Sequence, residues 1–178
     1  MEIVNPYFIR YNKLPEYEEF YTNVMSKNIL CVFPSELTQE WQCRKSWITN
    51  SGAINFDYLE QNFGNMKCPV YKCNENYYNS NPVSTFTLKE YLKYWKNIIS
   101  SDHKYEENHD DILYLKDWHL FYDFYENFDN NDILNKEEFI KNIFKLPSYF
   151  ASDYLNDYCV AKGISDYKFV YLGPKGSR

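Results

Sequence analysis

The chain has 178 residues, which is enough for one domain with a buried core. Its 25 acidic residues outnumber its 19 basic ones and give a formal net charge of −6. Proteins that bind nucleic acid by neutralising phosphates usually carry positive surfaces, so this balance argues against a direct nucleic-acid binder. The five cysteines are odd in number and lack CxxC spacing, so neither a disulfide framework nor a zinc module is indicated.

The first part of the sequence predicts two helices separated by a strand. Apolar residues recur at helical spacing between 17 and 24, behind a proline that suits the start of a helix. The apolar run 28–33 ends at a proline and predicts a buried strand. A second helix over 56–63 has its apolar residues on one face and Gly64 as its stop signal.

The middle of the sequence predicts a strand, a helix and a second strand. Cys68–Cys73 is typical of a strand, and a polar loop follows over 74–82. Thr87 is the predicted N-cap of the next helix, with Glu90 three residues later as its capping-box partner. Leu113–Trp118 is the clearest strand of the sequence.

The last part of the sequence predicts an insertion, a helix and a strand. Residues 121–145 are acidic, rich in Asn and poorly patterned, which indicates an insertion. A helix over 149–160 and an aromatic strand over 167–172 follow. Helices and strands alternating in this irregular order predict an α+β fold, with helices along the edge of a sheet or barrel.

The amino terminus lacks a charged segment followed by an apolar run, and no window reaches 18 uninterrupted apolar residues. We therefore expect a cytoplasmic protein, or one that also enters the nucleus, that does not contact a membrane.

Two short patterns resemble metal sites. His109-Asp110-Asp111 has the His-x-Asp spacing of a non-haem iron site, but the only later histidine is His119, and a charged loop is the simpler interpretation. Asn127–Glu138 imitates a calcium-binding EF-hand loop, with Asn at its first position and Asp132 where the turn requires glycine. A solvated turn is the alternative interpretation of this loop.

Several segments together carry a resemblance to a known family. The most specific are Tyr114–Leu120 (YLKDWHL) and Tyr167–Ser177 (YKFVYLGPKGS), supported by 43–49, 55–59 and 146–156. The chain resembles the amino-terminal part of the Jumonji-C (JmjC) oxygenases over nearly its whole length. The resemblance implies a cupin-like double-stranded β-helix, with 1–112 as the preceding helix and strand region and 113–178 as the start of the JmjC core.

The resemblance also implies a function. These enzymes depend on Fe(II) and 2-oxoglutarate, and the implied reaction is hydroxylation of a lysine of eukaryotic release factor 1 during translation termination. In the family the iron ligands follow the Gly-Ser turn, so we expect this chain to lack them, to bind neither cofactor and to be inactive by itself. A non-catalytic scaffold that binds the substrate is the alternative.

The family pattern also implies roles for individual residues. Tyr114 is expected to donate a hydrogen bond to a 2-oxoglutarate carboxylate, with a core tyrosine as the alternative. Asp117 and Trp118 are expected at the mouth of the site, where they orient the substrate. The alternatives are that both residues cap the strand, or that Trp118 is a core anchor. Tyr171 and Lys175 are weaker candidates for lining the pocket.

Overall fold

A computed structural model describes residues 8–73, 84–100, 112–126, 138 and 142–177 of the chain. The chain forms two compact units, the first from Met1–Ala53 and Ile133–Asp153 and the second from Ile54–Asp132 and Tyr154–Arg178. The mixture of helices with an antiparallel sheet confirms the predicted α+β class. The predicted division into 1–112 and 113–178 stays a prediction.

The elements of the first unit are β1 (Phe8–Arg10), α1 (Tyr17–Phe20, continued by a wider π-helical turn over Tyr21–Met25), β2 (Leu30–Val32), a 3₁₀ turn (Ser35–Thr38), α2 (Gln42–Ser46) and a second 3₁₀ turn (Ser148–Phe150). β1 and β2 pair in parallel, with Phe8 opposite Leu30. Pro15 precedes α1, as the sequence predicts.

A small aromatic cluster holds the first unit together. Phe20 and Val24 are buried with Tyr149, and Phe33 packs beside them. The ring centroids of Phe20 and Tyr149 lie 5.2 Å apart in an edge-on arrangement, and the Tyr149 hydroxyl donates to the Pro15 carbonyl. The helix prediction is confirmed, since two of its periodic residues form this cluster.

The predicted strand after α1 exists, but it is wrong to call it buried. Leu30 is 66% exposed and Val32 is at the border of exposure, while Cys31 between them is half-buried. Side chains alternate between the two faces of a strand, and only the face that carries Cys31 packs against the aromatic cluster. The apolar run predicted the strand, and the packing of one face decided which of its residues are buried.

The elements of the second unit are α3 (Phe56–Phe63), β3 (Lys67–Lys72), β4 (Ser84–Thr87), α4 (Leu88–Ser100), β5 (Leu113–Trp118), α5 (Leu120–Glu126), α6 (Tyr154–Lys162) and β6 (Val170–Leu172). The four strands form an antiparallel sheet in the order β4-β3-β5-β6. None of the helices in the described part of the chain combines the length and the apolar character that crossing a bilayer needs.

Local sequence signals set the ends of α3 and α4. The Asn55 side chain accepts a hydrogen bond from the Tyr58 N–H at the start of α3. At α4 the Glu90 N–H donates to the Thr87 hydroxyl at 3.2 Å, while the Glu90 carboxylate accepts from the Thr87 N–H at 2.8 Å. This confirms the predicted capping box.

The late helix and the start of the predicted insertion differ from expectation. The helix over 149–160 is divided into the 3₁₀ turn Ser148–Phe150 and α6. Residues 121–126 form a regular helix, α5, with Leu120 and Phe124 buried, because apolar residues four positions apart share one face. Most of the stretch 127–141, including nearly all of the predicted calcium loop, lies outside the described residues.

Candidate functional site

The four-stranded sheet has two chemically different faces. One face is apolar and fully buried, formed by Cys68, Val70, Leu115 and Trp118. Helices α3 and α4 supply its cover, and the ring of Phe63 meets that of Trp118 edge-on at 6.5 Å. Side chains alternate between faces along a strand, so the residues between these project from the opposite side.

The opposite face carries tyrosines and charges. Tyr71 of β3 lies directly opposite Tyr114 of β5 in the register. Tyr171 of β6 joins them, with its ring centroid 6.2 Å from that of Tyr114. We call Tyr71, Tyr114, Asp117 and Tyr171 the tyrosine face. Its residues are half-buried or exposed, unlike those of the covered face.

A β-bulge places Asp117 on the tyrosine face. Leu115 pairs with Leu172 and Trp118 pairs with Val170, so two residues of β5 stand opposite the single residue Tyr171. Asp117 has a φ of 56°, a left-handed conformation that Asp tolerates better than most residues. Because of the extra residue, the Trp118 side chain lies on the covered face, whereas Asp117 lies on the tyrosine face.

The Asp117 carboxylate interacts with the hydroxyls of Tyr171 and Tyr71. The Tyr171 hydroxyl donates to Asp117 Oδ1 at 2.8 Å. This hydrogen bond to a carboxylate, together with burial, raises the pKa of Tyr171 to about 12. Burial raises the pKa of Tyr71, and the charge of Asp117 with its hydrogen bond raises it further. Both phenols are therefore held as neutral donors beside a negative charge.

Tyr114 lies against the glycine-proline turn that follows β6. A Cβ added to Gly173 would lie 2.8 Å from Tyr114 Cδ2 and would also clash with Ser177 Oγ, so a larger residue would force these side chains to move. The turn is closed by the Ser177 N–H, which donates to the Pro174 carbonyl at 3.1 Å. The structure thus brings together the two segments on which the family resemblance depends.

The Tyr114 hydroxyl is available to a ligand. It makes no hydrogen bond to another described residue, and its ring is half-buried. Burial raises the pKa of Tyr114, and Cys73 and Asp117 raise it further, so the phenol is a donor at neutral pH. A half-buried, unpaired donor fits the carboxylate of a dicarboxylic acid such as 2-oxoglutarate.

The other two predicted residues lie elsewhere. Lys175 is exposed in the turn after β6. Trp118 is 1% exposed and belongs to the covered face, which favours the core-anchor alternative over contact with a substrate. Their predicted roles in the site stay predictions.

The described residues include no group of three or more His, Cys, Asp or Glu side chains that could hold a metal ion, so no iron ligand is assigned. The His109-x-Asp111 pattern lies outside the described residues. His119 instead pairs with Asp166, with Nδ1 and Oδ1 2.9 Å apart, and packs edge-on against Phe169.

A cavity of about 680 Å³ lies beside the end of α3 and the start of β3, lined by residues such as Glu60, Asn65 and Lys67. It includes no residue of the tyrosine face. Its walls mix polar and apolar residues, and its charges are partly paired, since Lys89 Nζ lies 3.0 Å from Glu60 Oε1. We therefore place the candidate site on the tyrosine face, where the Tyr114 hydroxyl has no partner in the part of the chain that the structure describes.

Comparison with known proteins decides the family. No protein-family model matches the chain. The chain is 38% identical over 173 residues to a 2-oxoglutarate and iron-dependent oxygenase JMJD4 of Danio rerio, covering 96% of this chain and 37% of the relative. For the proteins of the same name, the identity is 38% in Homo sapiens and 36% in Mus musculus, covering 90% and 96% of this chain.

The chain is a JMJD4-like JmjC sequence. This confirms the predicted resemblance. The chain spans 34–37% of the length of these three relatives. Their names confirm the predicted oxygenase family and its dependence on iron and 2-oxoglutarate, as properties of the relatives.

The sequence does not single out two residues of the candidate site. Tyr71 was visible only as part of a strand, and its position opposite Tyr114 depends on the strand register. The sequence places Gly173 in a turn, but its contact with Tyr114 depends on how that turn packs against the Tyr114 ring. The alternation of Val70 and Tyr71 was the one available signal that Tyr71 faces away from the core.

Proposed function

We propose that this chain is part of an Fe(II)- and 2-oxoglutarate-dependent oxygenase that hydroxylates a lysine of eukaryotic release factor 1. The similarity to JMJD4 oxygenases supports the class of reaction. The observation that carries the proposal is the Tyr114 hydroxyl beside the glycine-proline turn, which has no hydrogen-bond partner among the described residues. Because the chain spans about a third of these relatives, the activity is proposed for the whole protein.

In this proposal Tyr114 binds the cosubstrate. Iron and 2-oxoglutarate, when bound, supply the oxidising chemistry. Tyr114 donates its phenol proton in a hydrogen bond to a carboxylate of 2-oxoglutarate, and its raised pKa keeps that proton in place. Gly173 lets the turn close on the Tyr114 ring, which fixes the direction of the hydroxyl. Asp117 and Tyr171 then face the substrate, and Lys175, which is exposed in the turn that follows β6, is proposed to line the edge of the site.

Turnover of the whole protein tests this proposal. With Fe(II), 2-oxoglutarate and a release-factor peptide, we expect succinate and a hydroxylated lysine, and none from residues 1–178 alone. Tyr114→Phe should raise the KM for 2-oxoglutarate by roughly 10- to 100-fold, since a hydrogen bond to a charged group contributes about 1.5–3 kcal/mol. Tyr154→Phe is the matched control, because Tyr154 is 77% exposed on α6.

A non-catalytic scaffold predicts a different outcome. The whole protein would then bind release factor 1 without forming succinate, and Tyr114→Phe would leave that binding unchanged. An unchanged KM in an active Tyr114→Phe variant would reject the role of Tyr114 alone. Since the proposed substrate acts in translation termination, the proposal also places the protein in the cytoplasm.

A further inference from the structure

The carboxylate of Asp117 forms no ion pair with any residue that the structure describes. Among the residues that the structure describes, no Lys, Arg or His nitrogen lies within 4.0 Å of Asp117. Its Oδ1 accepts from the Tyr171 hydroxyl, which fixes its position without neutralising it. A half-buried carboxylate that is held in place by a neutral donor and has no cation within ion-pair distance is suited to bind an external cation.

The aromatic surroundings of Asp117 also favour a cation. The faces of tyrosine rings attract ammonium groups. The tyrosine face already provides an example, because Lys116 Nζ lies 4.5 Å from the centroid of the Tyr71 ring. The Tyr171 ring is 48% exposed and has no cation of the described residues over it, so it remains open to an external group.

The geometry favours an ammonium over a guanidinium. A guanidinium binds a carboxylate best when both oxygens accept in parallel. Asp117 Oδ1 already accepts a hydrogen bond from the Tyr171 hydroxyl, so a guanidinium would bind the two carboxylate oxygens less well. An ammonium is a compact charge that needs one oxygen and a ring face.

We propose that Asp117 is the residue that recognises the positive charge of the substrate, with a primary ammonium on a flexible alkyl chain bound between the Asp117 carboxylate and the Tyr171 ring. This inference rests on the proposed function, because it assigns the specificity-determining residue of that site. The bulge is essential to it, since without the extra residue the strand alternation would place position 117 on the covered face.

The test is a binding titration of the 178-residue chain, followed by NMR of its tyrosine rings. The probe is Nα-acetyl-lysine methylamide, with the norleucine and arginine derivatives as the uncharged and the guanidinium comparisons. We expect the lysine derivative to shift the Tyr171 ring signals and to bind more tightly than both others. Its affinity should fall with added salt.

Asp117→Asn removes the charge and little else. Asn also tolerates the left-handed backbone and still accepts a hydrogen bond from Tyr171, so the bulge should persist. We expect affinity for the lysine derivative to fall about fivefold or more. Asp157→Asn, an equal change of charge at an exposed position of α6, should leave the affinity unchanged.

Equal binding of the lysine and norleucine derivatives would overturn the inference. So would wild-type affinity in Asp117→Asn, or the absence of binding by the wild-type chain throughout the titration. Failure of the proposed function gives a different pattern, in which the whole protein forms no succinate while Asp117-dependent binding of the lysine derivative persists. Succinate formation that is equal in wild type and Asp117→Asn would reject the inference and leave the reaction in place.

Discussion

Removing the Tyr91 hydroxyl should destabilise the sheet that carries the tyrosine face. Tyr91 is fully buried on α4, and its hydroxyl accepts from the Leu115 N–H at 3.3 Å and donates to the Leu172 carbonyl at 2.9 Å. It therefore links the backbones of β5 and β6 at the base of the bulge. The Leu113 carbonyl is a second acceptor at 3.1 Å.

The size of the effect follows from these contacts. Tyr91→Phe loses a hydrogen bond worth about 1 kcal/mol and leaves a buried N–H or C=O unsatisfied at about 1–3 kcal/mol, so we expect a loss of about 2–4 kcal/mol. For a urea slope near 2 kcal/mol/M, the unfolding midpoint should fall by about 1–2 M. Fluorescence of the buried Trp95 and Trp118 reports on the same unit.

The matched control is Tyr154→Phe, which removes a hydroxyl from a residue that is 77% exposed. Its free energy of unfolding should stay within about 0.5 kcal/mol of wild type. Amide exchange at Leu115 should accelerate in Tyr91→Phe only, since that N–H loses its acceptor. A Tyr91→Phe variant as stable as the control, with unchanged exchange at Leu115, would refute the account of how β5 and β6 are joined.

Three further predictions concern the site and its supports. The Tyr171 phenol should titrate near pH 12 by NMR, and its pKa should move toward 10.0 in Asp117→Asn. Because the pKa of Tyr171 is raised in the folded state, the stability that this phenol contributes is complete below about pH 10 and is lost as the pH rises through about 12. An unshifted titration in that variant would contradict the assigned cause. Gly173→Ala should displace the Tyr114 ring and change its NMR signals, because the added Cβ would lie 2.8 Å from Cδ2; unchanged ring signals would show that the turn adapts. Thr87→Ala should lower the free energy of urea unfolding by about 1 kcal/mol through loss of the α4 cap, whereas wild-type stability would count against the capping box.

Local signals in the sequence were sufficient for most elements. The capping box at Thr87 and Glu90 depends on atoms three residues apart, so any helix beginning there forms the same bonds. β5 and α3 were likewise predicted from local features, namely their apolar residues and, for α3, the glycine that follows its last turn. The family resemblance also came from short contiguous segments, and it was confirmed by the JMJD4 relatives.

Burial and pairing depended on distant parts of the chain. The sequence predicted that 28–33 is a strand, but its exposure follows from packing on one face only: Cys31 lies against the aromatic cluster, whereas Leu30 on the other face is 66% exposed. The sequence does not predict α5, because its two buried residues, Leu120 and Phe124, give a weak periodic signal in a poorly patterned stretch.

The site shows the same division between sequence and tertiary structure. The sequence by itself determined the strand that carries Tyr114 and Asp117 and the glycine-proline turn after β6. Strict alternation along that strand would have placed position 117 with Leu115 on the covered face. Only the pairing of β5 with β6 created the bulge that leaves Asp117 beside Tyr171, because register is set by contacts between strands that lie more than 50 residues apart in sequence.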